Sequence, residues 1–302
     1  MRNSVVFLVL ILIIVGLTVP VYFGGFTVKA NTSMKRFSSR EELRTFVATS
    51  GYSYRYVKGM LSTQDVKELY SLDSLASPQS SDYSKTNIQV EGVDEADIIK
   101  TDGEYIYIVS GRSIVILKAY PPEEAAILSQ ITLNGTISGV FINGNKMVVF
   151  EGGPNSYYTT LATLVKSYPY YGTSGTCIRV YDVSDRANPI LTRNVGLDGY
   201  YFDSRMIGDY AYAVINEPVY VNESWVTLPR IYSDGEVEEI DATEIYYSSV
   251  SDYFSTFTMI VSINIQNDAE EPTYETILLG SASNMYVSMN NIYICLLYTS
   301  DA

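Results

Sequence analysis

The 302-residue chain carries 34 acidic and 20 basic side chains and no histidine, for a formal net charge of −14. With no basic stripe to neutralise phosphates, the composition argues against nucleic acid as a partner. Without histidine there is no Ser–His–Asp or Cys–His catalysis, and the commonest ligand for zinc or copper is missing.

Taken in chain order, residues 5–23 are almost wholly apolar behind the positive Arg2, and Val28 and Ala30 place small side chains before a cut after Ala30. That is the pattern of a secretory signal peptide. The apolar run is also close to the ~20 residues that cross a bilayer, so an uncleaved anchor is the alternative. Either way the remainder is expected to be exported, as an extracellular or cell-surface protein. The tripeptides at 31–33, 134–136 and 222–224 are glycosylation sequons, a pattern that also arises by chance. Ser39 and Glu42 make a capping box ahead of Leu43, Phe46 and Val47, which predicts a short helix over 39–49. Residues 71–84, SLDSLASPQSSDYS, read as a linker.

The rest of the chain is organised around residues 86–118, TNIQVEGVDEADIIKTDGEYIYIVSGRSIVILK. Asp102-Gly103 between β-rich runs is a strong hairpin signal, because such turns need φ > 0. The runs YIYIV and IVIL are apolar at nearly every position, which suits strands covered on both faces. The unit recurs around Asn143-Gly144 and around Gly208-Asp209, and it begins again around Asn290-Asn291. A later strand pair follows each complete hairpin: 114–119 with 127–133, 177–183 with 190–195, and 258–265 with 274–279. Four strands (A to D) repeated over a core length of roughly 40–45 residues are the signature of propeller blades. An ordinary β-sandwich is the competing architecture, and the recurring order of turn types argues against it. The expectation is an all-β fold: about three four-stranded blades and the first hairpin of a fourth. Residues 86–90 precede the first A strand as the other D strands precede theirs, and so fit the D strand of a last blade.

TNIQVEGVDEADIIKTDGEYIYIVSG resembles the opening of a family of prokaryotic secreted proteins with a C-terminal β-propeller distantly related to WD40 repeats, and FSSREELRTFV resembles that family's preceding helix. The resemblance spans roughly residues 37–294, with VEGVDEAD its specific part. It implies an extracytoplasmic propeller and brings no catalytic motif. The tail from Cys295 onward, CLLYTSDA, breaks the blade pattern and resembles the in-frame translation of a transposon-end sequencing adapter. The expected division is therefore 1–30 leader or anchor, 31–85 short helical segment and linker, 86–294 incomplete propeller, and 295–302 foreign tail. No disulfide framework can then be read from Cys177, which reads as a small buried hydrophobe.

Two features are candidates for chemistry. Glu91, Asp94, Glu95 and Asp97 put four carboxylates into seven residues. No cofactor is otherwise expected, and the cation this cluster would suit is Ca²⁺, although the spacing is not that of a Ca²⁺ loop. The plainer reading is that these carboxylates accept backbone N–H bonds at a crossover. The second feature is a pair of long insertions between strands B and C. Residues 153–175 carry Tyr157, Tyr158, Tyr168, Tyr170 and Tyr171, and residues 217–255 carry Trp225, Tyr246, Tyr247 and nine acids including Glu217. Tyr and Trp offer flat apolar area with a polar handle, which suits a glycan or an extracellular protein; cover for the propeller rim is the alternative. By strand direction, the B-to-C and D-to-A connections share one end of the molecule and the tight turns share the other. The functional expectation is a binding or scaffold module without enzymatic activity. A carboxylate-dependent hydrolase acting on glycosides is the alternative, and it requires two carboxyl groups ~5–9.5 Å apart.

Overall fold

The structure, a computed structural model, describes residues 34–49, 90–153, 175–221, 223–233, 236–248, 256–280 and 282–296. The expected leader or anchor, the Ser-rich linker and residues 154–174 lie outside the described residues. Among the described residues, no helix is long and apolar enough to cross a membrane.

A short strand β1 (Lys35–Arg36) precedes helix α1 (Arg40–Thr49). Ser39 Oγ accepts the Glu42 N–H at 3.2 Å, as a capping box requires. The Glu42 carboxylate reaches one residue further back than expected, to the Ser38 N–H at 2.7 Å. Strand β2 (Val93–Glu95) follows. The first sheet is β3 (Ile99–Thr101), β4 (Tyr105–Ser110), β5 (Ser113–Lys118) and β6 (Ala126–Thr132), paired in that order. The second is built on β7 (Thr136–Asn143), β8 (Lys146–Gly153), β9 (Gly175–Asp182) and β10 (Ile190–Asp198). The third uses β11 (Tyr200–Ile207) and β12 (Tyr210–Pro218). After β13 (Arg230–Ser233), β14 (Glu236–Glu239) and β15 (Ile245–Tyr247), it resumes with β16 (Thr256–Asn264) and β17 (Thr273–Leu279). A hairpin, β18 (Ala282–Val287) with β19 (Ile292–Leu296), forms a separate two-stranded sheet, and the four sheets do not join into one closed sheet.

The repeat is visible in detail. The first strands of the second and third sheets and of the hairpin all carry a register shift near their start, at Ile137/Gly139, Tyr201/Asp203 and Ala282/Asn284. The two-residue loops place glycine first: Gly144 and Gly208 have φ of 59° and 57°, a left-handed geometry that side chains resist. The second loop is therefore Gly144-Asn145, one residue later than the sequence pattern places it.

Three expectations need correction. The 217–255 insertion is not a loop: β13 pairs with the far edge of β10, β14 extends that sheet, and β15 runs parallel to β17 with β1 outside it. The second sheet thus has six strands and the third seven. The acidic VDE segment is not merely a crossover either, because β2 hydrogen-bonds to the inner edge of β11. Third, burial on both faces holds for β8 at 147–151 and for β16 at 256–263, but in β4 only Tyr107 is buried. The first sheet packs on the second through one cluster that includes Tyr107, Ile114, Ile116, Val149 and Tyr181, and leaves Ile99 and Ile127 exposed. Between the second and third sheets lies the main core, where Phe141, Phe150, Leu197, Ile215 and Phe257 meet Leu43 and Val47 of α1. At the tail, β19 continues past Ile294, with Cys295 opposite Asn284.

Candidate functional site

The two ends of the sheets differ. At the turn end, the β9–β10 turn reaches back to the first sheet. Arg186 meets Asp102 at 3.3 Å, the Tyr107 hydroxyl at 3.2 Å and Asn145 Oδ1 at 2.8 Å, and lies over the Tyr105 ring. Burial works against ionisation of Asp102, but the Tyr105 and Glu104 N–H groups, then Tyr107 and Arg186, outweigh it and hold the carboxyl below its usual range. Tyr107 is pushed up to about 12 by burial and then by the Asp102 charge. The β16–β17 turn repeats the contact with charges exchanged: Asp268 meets Lys146 at 2.9 Å. Tight turns and ion pairs between sheets fill this end.

The connections that follow β8 and β12 both leave from the opposite end, as strand direction requires. There, in the second and third sheets, the residue before the β7 or β11 strand packs against the end of the strand that follows it. A Cβ on Gly135 would lie 2.4 Å from the Gly152 carbonyl oxygen, and one on Gly199, where φ is +103°, would lie 2.7 Å from that of Asn216. Only glycine lets the backbones approach so closely.

The expected site residues fall in three groups. The four clustered carboxylates do not converge. Asp94 Oδ1 pairs with Lys100 at 2.7 Å, Glu95 meets Arg205 at 3.3 Å, Asp97 Oδ1 accepts the Ile98 N–H at 2.8 Å, and Glu91 is exposed. Among the described residues no three His, Cys, Asp or Glu side chains come together to hold a metal. Two members of the second group contact the N-terminal segment: Tyr247 stacks on Phe37 with ring centroids 4.2 Å apart and meets Phe46 at 4.8 Å, while Tyr246 takes the Arg36 guanidinium over its ring. Trp225 is half-buried. Tyr157, Tyr158, Tyr168, Tyr170 and Tyr171 lie outside the described residues.

The insertion end also holds two buried glutamates, each near the end of its sheet's second strand. Glu151 is fully buried. Its Oε2 accepts from Arg179 Nε at 2.6 Å, and its Oε1 from the Gly135 N–H at 2.5 Å. Glu217 is 8 % exposed, and its Oε2 has no hydrogen-bond partner. Beside it stands Asp198, at the end of β10, whose oxygens are taken by Arg230 Nε at 2.6 Å and the Tyr232 hydroxyl at 3.0 Å. Burial, then the Asp198 charge, raise Glu217 well above the ordinary carboxylate range, with Arg230 opposing. Arg230 is itself held above its usual value: burial would lower it, and the Asp198 carboxylate overcomes that.

The family model of the Beta propeller domain matches residues 83–301. The chain belongs to the beta propeller domain family. It is 28% identical over 264 residues to an uncharacterized protein of Methanocaldococcus jannaschii, covering 85% of this chain and 36% of that protein. To an uncharacterized protein of Archaeoglobus fulgidus it is 24% identical over 309 residues, covering 91% of this chain and 45% of the relative. The chain thus spans less than half the length of either relative. No solved structure matches it significantly.

In this beta propeller chain, sequence reasoning missed the Asp198–Glu217–Arg230 group and counted Glu217 as one of nine insertion acids. A signal was present. Ala211, Ala213, Ile215 and Glu217 alternate along β12, all are buried, and the three apolar ones belong to the main core. Glu217 continues an inward face and does not begin a solvated loop.

Proposed function

We propose that the chain is an exported or cell-surface binding and scaffold module, with its three large sheets as propeller blades and the β18–β19 hairpin opening a fourth. It would engage a protein or glycan through the insertion end. One observation carries this reading: the turn end is occupied by ion pairs between sheets, whereas both long connections leave from the other end, beside the close-packed Gly135 and Gly199. Export rests on the apolar segment at 5–23, which would also tether the protein to a membrane if uncleaved. Because Tyr246 and Tyr247 are engaged as cover, the contacts expected with a ligand come from the tyrosines of 153–175 and from Trp225. The test is deletion of 154–174 with a Gly-Ser bridge, followed by glycan-array and cell-surface protein binding. Loss of binding with an unchanged melting transition supports the reading. Unchanged binding would leave those tyrosines as rim cover.

A further inference from the structure

The Asp198–Glu217–Arg230 group ties one insertion to a neighbouring sheet, and its charges do not balance. Glu217 lies on the last inward-facing position of β12, where the insertion begins. Asp198 ends β10, and Arg230 and Tyr232 belong to β13, the strand that docks on β10 through Val195, Gly196 and Leu197. The charged and titratable groups facing Glu217 are therefore Asp198, Arg230 and Tyr232. One guanidinium serves two buried carboxyl groups, and both oxygens of Asp198 are already bonded. An ionised Glu217 would be a second buried anion with an oxygen that no donor meets, which is strongly disfavoured.

We propose that Glu217 is a proton-operated latch on the insertion: with a proton on Glu217 the β13–β14 hairpin is held on β10, and loss of that proton loosens it. Arg230 and Tyr232 are held above their ordinary values, so neither changes charge between pH 5 and pH 9. A carboxyl group whose folded pKa is raised contributes stability that is fully present below its unfolded pKa and is lost as pH rises through its folded pKa. The hairpin is thus tightest in acid and loosens as pH rises. This inference does not depend on what the insertion end binds.

The test is hydrogen–deuterium exchange on the full chain between pH 5 and pH 9, corrected for the intrinsic exchange rate. Protection of β13 and β14 is expected to fall with rising pH by roughly tenfold or more relative to β8 and β9, tenfold being ~1.4 kcal/mol. In Glu217→Gln that fall is expected to vanish. Asp198→Asn provides a second arm: it leaves Arg230 to pair with Glu217, so the loosening at high pH is expected to vanish there too. Protection of β13 and β14 that tracks β8 and β9 across the range in the unmodified chain would overturn the proposal. So would a pH-dependent fall that persists in either variant.

Discussion

Glu151 and Glu217 occupy comparable places and are treated in opposite ways. Each sits near the end of a second strand, on the face that continues the core, beside the glycine that precedes its sheet's first strand. Glu151 has two donors, the Arg179 guanidinium on the adjacent strand and the Gly135 N–H. Beside Glu217 the adjacent strand carries Met259 at the position that corresponds to Arg179. The nearest cation comes from the insertion, and Asp198 already holds it. A buried carboxyl group is therefore settled or frustrated according to what the next strand carries, even where the backbone repeats.

The comparison breaks most visibly at Glu151. Glu151→Ala leaves the Arg179 charge and the Gly135 N–H without their partner, and is expected to destabilise the protein by about 3–5 kcal/mol in urea titration. If the loss is under 1 kcal/mol, Glu151 is no better satisfied than Glu217.

Close packing at the insertion end sets the next effect. Gly199→Ala combines φ of +103° with a Cβ 2.7 Å from the Asn216 carbonyl oxygen. It is expected to cost about 3 kcal/mol, the upper end for a strained backbone position. Gly144→Ala at the turn end meets open space and pays only for its left-handed φ of +59°, about 1 kcal/mol. Equal midpoint shifts for the two variants would remove the contrast between the ends.

A loss smaller than at Glu151 or Gly199 is expected at Asp198. Asp198→Asn removes the carboxylate that Arg230 binds, but Glu217 stands beside it and can ionise in its place. About 1–2 kcal/mol is expected, less than for Glu151→Ala. The double variant Asp198→Asn, Glu217→Gln orphans Arg230 and should fall below the sum of the single effects by about 1 kcal/mol or more in a double-mutant cycle. Strict additivity would show that Glu217 does not share the cation.

The four-strand order was legible because glycine turns and β-rich runs are local signals, and the repeat multiplies them. Outer strands β13, β14 and β15 were not legible. RIYS, EVEE and IYY are too short, and EVEE too acidic, to announce strands, and they become strands by pairing with β10, β13 and β17 respectively. Likewise VDE reads as a charged crossover until β11 supplies its partner. Of the candidate site, the sequence showed where the aromatic insertions lie. It hid that Phe37 and Phe46 take up Tyr247 and that the Asp198 charge acts on Glu217, because both relate residues far apart in the chain.

The most direct test of this account is a carbon-13 NMR titration of the Glu217 carboxyl group in protein labelled at glutamate, assigned by comparison with Glu217→Gln. The predicted midpoint lies well above the ordinary glutamate value of 4.5, and it returns toward that value in Asp198→Asn. A Glu217 midpoint at or below the ordinary value in the unmodified protein would contradict the account.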